Sequence, residues 1–316
     1  MIETIKYRPD IKLRKSLFVP EAMKHPAKGH LEMWMECITR YSRVGETVLD
    51  PMAGIGASLV AALMGRSVIC VEMEEHFVEP MRASWEKMRN QPMPGYRMGQ
   101  ATIIQGDARN LGSVLADAVV TSPPYEGSLH IDAIVTSPPY EESISRESPR
   151  NDLMISRGLN GQYTRPVDAI VTSPPFSEAR HDDNDRANRT NDGRLPRVGD
   201  ANKAWEYGSA KNIGNLRNAA YWDSMRQVYA ECYRVLRPGG IMALVLKGFT
   251  RKGQYADLPG QTEAMLLESG WLKHDHWRRE LWNLSFWRIL QQKRDPLHFD
   301  ERLKFEEILA VRRPND

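Results

Sequence analysis

The sequence predicts an α/β fold: one mostly parallel sheet of seven strands with helices on both faces. Three observations predict it. Residues 47–125 alternate short β-prone runs with helical stretches, each run closes on a polar or turn residue, and the first opens through Asp50-Pro51-Met52-Ala53-Gly54-Ile55-Gly56 onto a helix. The chain has 316 residues, 41% hydrophobic and 27% charged, enough for one elaborated domain or two small ones.

Taken in order, Thr47 to Leu49 is the first strand and Ala57 to Met64 the helix after it. Ser67 to Val71 is the second strand, ending at Glu72, and Glu75 to Arg89 is helical. Ala101 to Gln105 is the third, ending at Gly106-Asp107, and Asp117 to Val120 is the fourth. Over 126–218 Ser, Asn, Asp, Arg and Gly dominate, so this stretch reads as a polar, partly disordered insertion, a candidate lid or target-recognition region. From Tyr221 to Leu236 apolar residues recur at helical spacing, Arg237-Pro238-Gly239-Gly240 stops the helix, and Ile241 to Leu246 is a buried strand. A helix over Gln261 to Glu268, an aromatic-rich strand near Trp282 to Leu290 and a last strand from Phe305 to Val311 complete the seven. Residues 47–125 and 219–316 are then two halves of one domain, preceded by an N-terminal segment, 1–46.

The longest aliphatic run, Ile241 to Leu246, is far short of the roughly 20 residues a membrane span needs, and mean hydropathy is −0.52. Glu3 and Asp10 interrupt the first fifteen residues, which argues against a secretory leader and for a cytoplasmic location. Net charge is only +2, so a polyanion would have to be held by a local basic surface. Cys37, Cys70 and Cys232 stand apart from one another and from any Cys/His cluster. They read as reduced, buried thiols, with no disulfide framework and no metal site.

A repeat stands out. Asp117-Ala118-Val119-Val120-Thr121-Ser122-Pro123-Pro124-Tyr125 recurs at Asp132 to Tyr140 and, with a terminal Phe, at Asp168 to Phe176. The unequal spacing indicates local duplication rather than a solenoid. A Ser-Pro-Pro-aromatic corner is stiff: its second proline has no N–H to compete for the first one's carbonyl, and the serine adds a side-chain acceptor. Two acceptors aimed at the exocyclic amine of a nucleobase would localise a lone pair otherwise delocalised into the ring. The aromatic ring offers a platform for a base swung out of its stack, and Phe176 would serve as well as Tyr125.

The glycine turn points to a ligand crevice. Gly54 and Gly56 let backbone approach a ligand closely, Glu72 is placed to accept from two ribose hydroxyls, and Asp107 follows at the third strand's end. A GxG turn also suits a dinucleotide, although the third glycine of that fingerprint is missing.

Together, Asp50 to Gly56, Glu72, Gly106-Asp107 and Thr121-Ser122-Pro123-Pro124-Tyr125 resemble the class I S-adenosylmethionine-dependent amino-methyltransferases of DNA, whose hallmark is a (D/N/S)PP(Y/F) tetrapeptide. The resemblance covers most of residues 20–125 and 219–311. It implies a Rossmann-like sheet with an antiparallel last strand, and S-adenosyl-L-methionine as cofactor. Asp50, Pro51, Ala53, Gly54 and Gly56 would hold its methionine part, Glu72 its ribose and Asp107 its adenine amine. Met73, Ala108 and Thr121 join the cofactor set. His25-Pro26-Ala27-Lys28 is similar to the segment that packs over the methionine tail, which adds His25, and by this resemblance the N-terminal segment, 1–46, would pack over the cofactor site. Ser122, Pro123, Pro124 and Tyr125 would be catalytic, because the first copy follows Asp107 after one short helical stretch, as the fourth strand position requires. The third copy, nearest the next helix, is the alternative.

Serine before Pro-Pro resembles the cytosine-N4 subgroup, so the expected substrate is duplex DNA with a flipped cytosine, within or outside a restriction-modification pair. Adenine N6 is the nearest alternative. RNA or protein amide methylation and an inactive nucleic-acid-binding regulator are further ones. Ring-carbon methylation is disfavoured, because its cysteine nucleophile usually follows proline and these cysteines follow Glu36, Ile69 and Glu231. Trp282, Phe286 and Trp287 read as core or as a wall for the base. Arg278, Arg279, Arg288, Lys293 and Arg294, with Lys247 and Arg251, read as surface charge or phosphate contacts. No membrane partner is expected, and homodimerisation is left open.

Overall fold

A computed structural model describes residues 2–24, 29–115, 166–175, 211–251, 254–282 and 299–315. Eight strands form one sheet: β1 (Glu3–Lys6), β2 (Thr47–Asp50), β3 (Ser67–Glu72), β4 (Ala101–Gln105), β5 (Val167–Thr172), β6 (Leu236–Leu246), β9 (Leu272–Glu280) and β10 (Phe305–Arg312). A two-stranded hairpin, β7 (Phe249–Arg251) and β8 (Gln254–Ala256), follows β6. The sheet order is β1-β9-β10-β6-β5-β2-β3-β4. Only β10 runs against its neighbours, β6 and β9. From β2 the chain winds one way through β3 and β4, and from β5 it winds the other way into β6. This Rossmann-like arrangement puts its switch point between β2 and β5, where ligands of such sheets bind.

Both faces are covered. In β2, Val48 packs into one apolar cluster with Trp34, Ile38, Leu63 and Met81, while its neighbour Leu49 packs into the other with Tyr221, Met225 and Leu244. Central β5 is apolar through Val167, Ala169, Ile170 and Val171, the near-continuous run expected of a parallel strand buried on both sides. The helices are α1 (Ile11–Leu17), α2 (Leu31–Tyr41), α3 (Val60–Leu63), α4 (Glu75–Met88), α5 (Asn218–Val235) and α6 (Leu258–Glu268). In α4, Phe77, Met81, Ser84 and Met88 form the buried stripe. Asp257 caps α6 by accepting the Gly260 N–H at 2.9 Å. Among the described residues, no helix is long and apolar enough to cross a membrane.

Several expectations are corrected. The eighth strand comes from residues 3–6, which extend the sheet beside β9 instead of only packing over the crevice. The described strand before the last is Leu272–Glu280, and all but the start of the expected one near Trp282 to Leu290 lies outside the described residues. Its residues are largely polar, and only Trp277 is fully buried, so apolar periodicity did not announce it. Residues 126–218 are not one insertion, since Val167–Thr172 is a central strand. The position beside β2, expected for the first repeat copy, holds the third. There Asp168 accepts the Thr47 N–H at 2.9 Å and pairs with Arg237 at 2.9 Å. Asp117 and Asp132 begin the other copies in the same way, so local sequence does not discriminate between them.

Candidate active site

Asp50 ends β2 with its side chain buried, and its Oδ1 accepts the Met52 N–H at 3.3 Å. Burial pushes its pKa up to about 6, against the opposing pull of the Ser58 and Thr172 hydroxyls and the Met52 amide. The bend that follows is tied to β3 by the Ala53 N–H, which donates to Val71 O at 2.9 Å, and closes on itself through Gly56 N–H to Ala53 O at 2.8 Å. Gly54 (φ 55°) and Gly56 (φ 81°) are left-handed, and a Cβ on Gly56 would stand 2.6 Å from Met81 Cγ. The bend therefore needs glycine for conformation and for space.

Glu72 ends β3. Its Oε2 accepts the Gly54 N–H at 2.8 Å and its Oε1 accepts the Glu74 N–H at 2.9 Å. Burial raises its pKa to about 7, the two amides oppose the rise, and the Asp50 and Glu74 charges add to it. At the tip of β4, Asp107 is clamped by Arg109, whose Nη2 donates at 2.6 Å and whose own N–H caps Oδ1 at 2.9 Å. Burial alone would raise the Asp107 pKa, but Arg109 and the nearby Lys211 bring it below the usual value.

Three further residues shape the crevice without a sequence motif to announce them. The Arg109 guanidinium also donates to Lys211 O at 2.9 Å. Asn212 donates from Nδ2 to Glu74 Oε1 at 2.8 Å while its Oδ1 accepts the Gly214 N–H at 2.9 Å. The chain entering α5 is thus moored to the segments that follow β3 and β4. The one available signal was Asn212-Ile213-Gly214, a turn-forming pattern.

The corner after β5 completes the row of strand tips. β5 lies directly beside β2, with Val48 opposite Ala169 and Leu49 opposite Ile170. Ser173 is exposed and its hydroxyl donates to Val245 O at 3.3 Å on β6. The carbonyl of Pro175 accepts the Tyr221 hydroxyl at 2.8 Å.

Of the expected site residues, Asp50, Pro51, Ala53, Gly54, Gly56, Glu72 and Met73 come together at the tips of β2 and β3, with Asp107 and Ala108 at the tip of β4. His25, Thr121, Ser122, Pro123, Pro124 and Tyr125 lie outside the described residues, as do Phe176, Phe286, Trp287, Arg288, Lys293 and Arg294. Thr172, Ser173, Pro174 and Pro175 stand at the corner in place of the first copy's residues. Arg278 donates to the Thr4 hydroxyl at 2.9 Å and covers the Phe305 ring, and Arg279 pairs with Glu306, so both hold β9 to its neighbours. Trp282 is exposed rather than core. Cys37, Cys70 and Cys232 are free and buried, and burial pushes each thiol well above its usual range, which suits packing and not thiolate chemistry.

Carboxylates at three successive strand tips suit a ligand carrying an ammonium, a diol and an amine. Each carboxylate oxygen of Glu72 accepts one backbone N–H and keeps capacity for a further donor. The α-ammonium, ribose diol and adenine amine of S-adenosylmethionine match that donor set.

Residues 31–158 match the family model described as RMKL-like, methyltransferase domain. That match supports a methyltransferase with S-adenosylmethionine as its cofactor. No curated protein is significantly similar to the chain in sequence. Solved structures it is similar to include TrmN from Thermus thermophilus (12% identity, TM-score 0.43, covering 95% of this chain and 52% of that one). A methyltransferase from Pyrococcus furiosus (12%, TM-score 0.43, 92% and 87%) and a SAM-dependent methyltransferase from Methanosarcina mazei (10%, TM-score 0.43, 89% and 98%) are similar to the same degree. At such scores these likenesses carry no argument about substrate, and the fold stands on the strand order itself.

Proposed function

We propose that the chain transfers a methyl group from S-adenosylmethionine to the exocyclic amine of a nucleobase, N4 of cytosine in DNA. The observation that carries this reading is the Ser173-Pro174-Pro175 corner on the strand next to β2, whose tip bears Asp50 and the glycine bend. The bound cofactor supplies an electrophilic methyl on a sulfonium. Asp50 and the bend would hold its methionine end, Glu72 its ribose and Asp107 its adenine. Ser173 gives its only hydroxyl proton to Val245 O, which leaves Oγ an acceptor towards an incoming amine. Paired with the Pro174 carbonyl, it would take the two amine hydrogens and turn the nitrogen lone pair towards the cofactor, so that the chain contributes positioning and electrostatics. The buried thiols support amine over ring-carbon methylation.

Serine before Pro-Pro supports cytosine N4 over adenine N6. Transfer of tritium from labelled cofactor, offered duplex DNA, RNA and protein in parallel and followed by nucleoside analysis, tests the reading. Label in N4-methylcytosine of DNA is the expected result. Label confined to RNA or protein, or on a ring carbon, would overturn it.

A further inference from the structure

We propose that Tyr221 is a positioning residue for methyl transfer, whose hydroxyl pins the carbonyl of Pro175 and so fixes the orientation of the Ser173-Pro174-Pro175 corner. This rests on the function proposed above and deepens it.

The corner cannot hold itself. Neither Pro174 nor Pro175 has an N–H, so the diproline backbone can be tied only through its carbonyls, and rigid φ angles leave rotation of the peptide planes to be set from outside. Two outside contacts hold the corner, one on the serine side chain and one on a proline carbonyl. The Ser173 hydroxyl donates to Val245 O at 3.3 Å, and the Tyr221 hydroxyl donates to Pro175 O at 2.8 Å. They come from two different elements, one from β6 and one from the first turn of α5.

Tyr221 is itself held by packing. It is 1% exposed, packs with Met225, Leu244 and Leu246 in one apolar cluster, and meets Trp222 edge to face at 5.2 Å. Burial pushes its ionisation far up, so the hydroxyl remains a donor across the working pH range. With the carbonyl of the second proline taken, the peptide that follows it is fixed, the Pro175 ring fixes φ between that peptide and the one carrying Pro174 O, and Pro174 O is the carbonyl left to be offered to the substrate amine. Tyr221 touches neither substrate nor cofactor in this account.

The test is Tyr221→Phe, which removes one oxygen and keeps the ring, beside Met225→Leu, a volume-conserving change one turn along the same buried face. Thermal unfolding, cofactor binding by calorimetry and single-turnover methyl transfer to duplex DNA are measured for both and for the parent. The expected result is a fall in transfer rate of about ten-fold for Tyr221→Phe, with cofactor affinity and KM for DNA little changed. Met225→Leu should keep the parental rate even where its unfolding temperature drops. An unchanged rate in Tyr221→Phe, a fall matched by weaker cofactor binding, or an equal fall in Met225→Leu would overturn the positioning role while leaving the proposed function standing. A parent protein that binds cofactor and transfers nothing to DNA would overturn the proposed function, and this inference with it.

Discussion

Glu72 Oε2 accepts the Gly54 N–H at 2.8 Å, so the tip of β3 and the bend after β2 are one rigid unit. The carboxylate that would bind a ribose also sets the backbone that would lie against the methionine.

A pH dependence follows from its burial. Glu72 ionises near pH 7 in the fold against a usual value of 4.5, so between those limits the folded protein holds a proton that the unfolded chain has shed. Its contribution to stability is full below about pH 4.5 and is lost as pH rises through about 7. Glu72→Gln should flatten that part of the stability profile, as read by denaturant unfolding at pH 5 and pH 8. Hydroxyls donated by a ligand favour the charged carboxylate, so cofactor affinity should rise with pH over the same window, with proton release on binding near pH 6. Calorimetry in two buffers of different ionisation heat reads the release, and the absence of a proton would contradict the role assigned to Glu72.

The Gly56 position carries a second prediction. Gly95 is also left-handed, at φ 86°, but a Cβ there meets nothing within 4 Å, whereas on Gly56 it meets Met81. Gly95→Ala should cost about 1 kcal/mol from conformation alone, and Gly56→Ala about 1–3 kcal/mol more from overpacking. Equal losses in urea unfolding would show that the bend is not packed against α4 as described.

Asn212 offers a third. Its amide is a partner of the buried Glu74 carboxylate, and Asn212→Ala should destabilise the fold by about 1–3 kcal/mol. Asn212→Asp should destabilise more at pH 7, where two carboxylates would face each other, and recover as acid neutralises one of them. Thermal melts at pH 4 and pH 7 check both. A pH-independent loss in the aspartate variant would contradict the contact.

Much of this architecture was legible in the sequence, and the gaps have physical causes. The strand ends at Asp50, Glu72 and Asp107 declared themselves because a parallel strand must stop on a polar or turn residue where it meets the crevice. The short polar β1 did not, since four residues at a sheet edge bury too little to leave a periodic pattern. Strand β9 hid for a related reason: its polar side chains obscure a pattern anchored only by Trp277. The occupant of the position beside β2 could not be read locally at all. Three copies share the aspartate, the apolar run and the Ser-Pro-Pro corner, and only contacts distant in sequence, such as Tyr221 with Pro175, distinguish the third.

The corner on β5, the strand beside the one that leads into the glycine bend, is proposed to present a base amine for methylation. Methyl transfer to duplex DNA by the parent, by Ser173→Ala/Phe176→Ala and by Ser122→Ala/Tyr125→Ala tests it most directly. Expected are N4-methylcytosine from the parent, a loss of about 100-fold or more in the third-copy variant, and full activity in the first-copy variant. Activity that survives the third-copy changes and vanishes with the first-copy ones would contradict it.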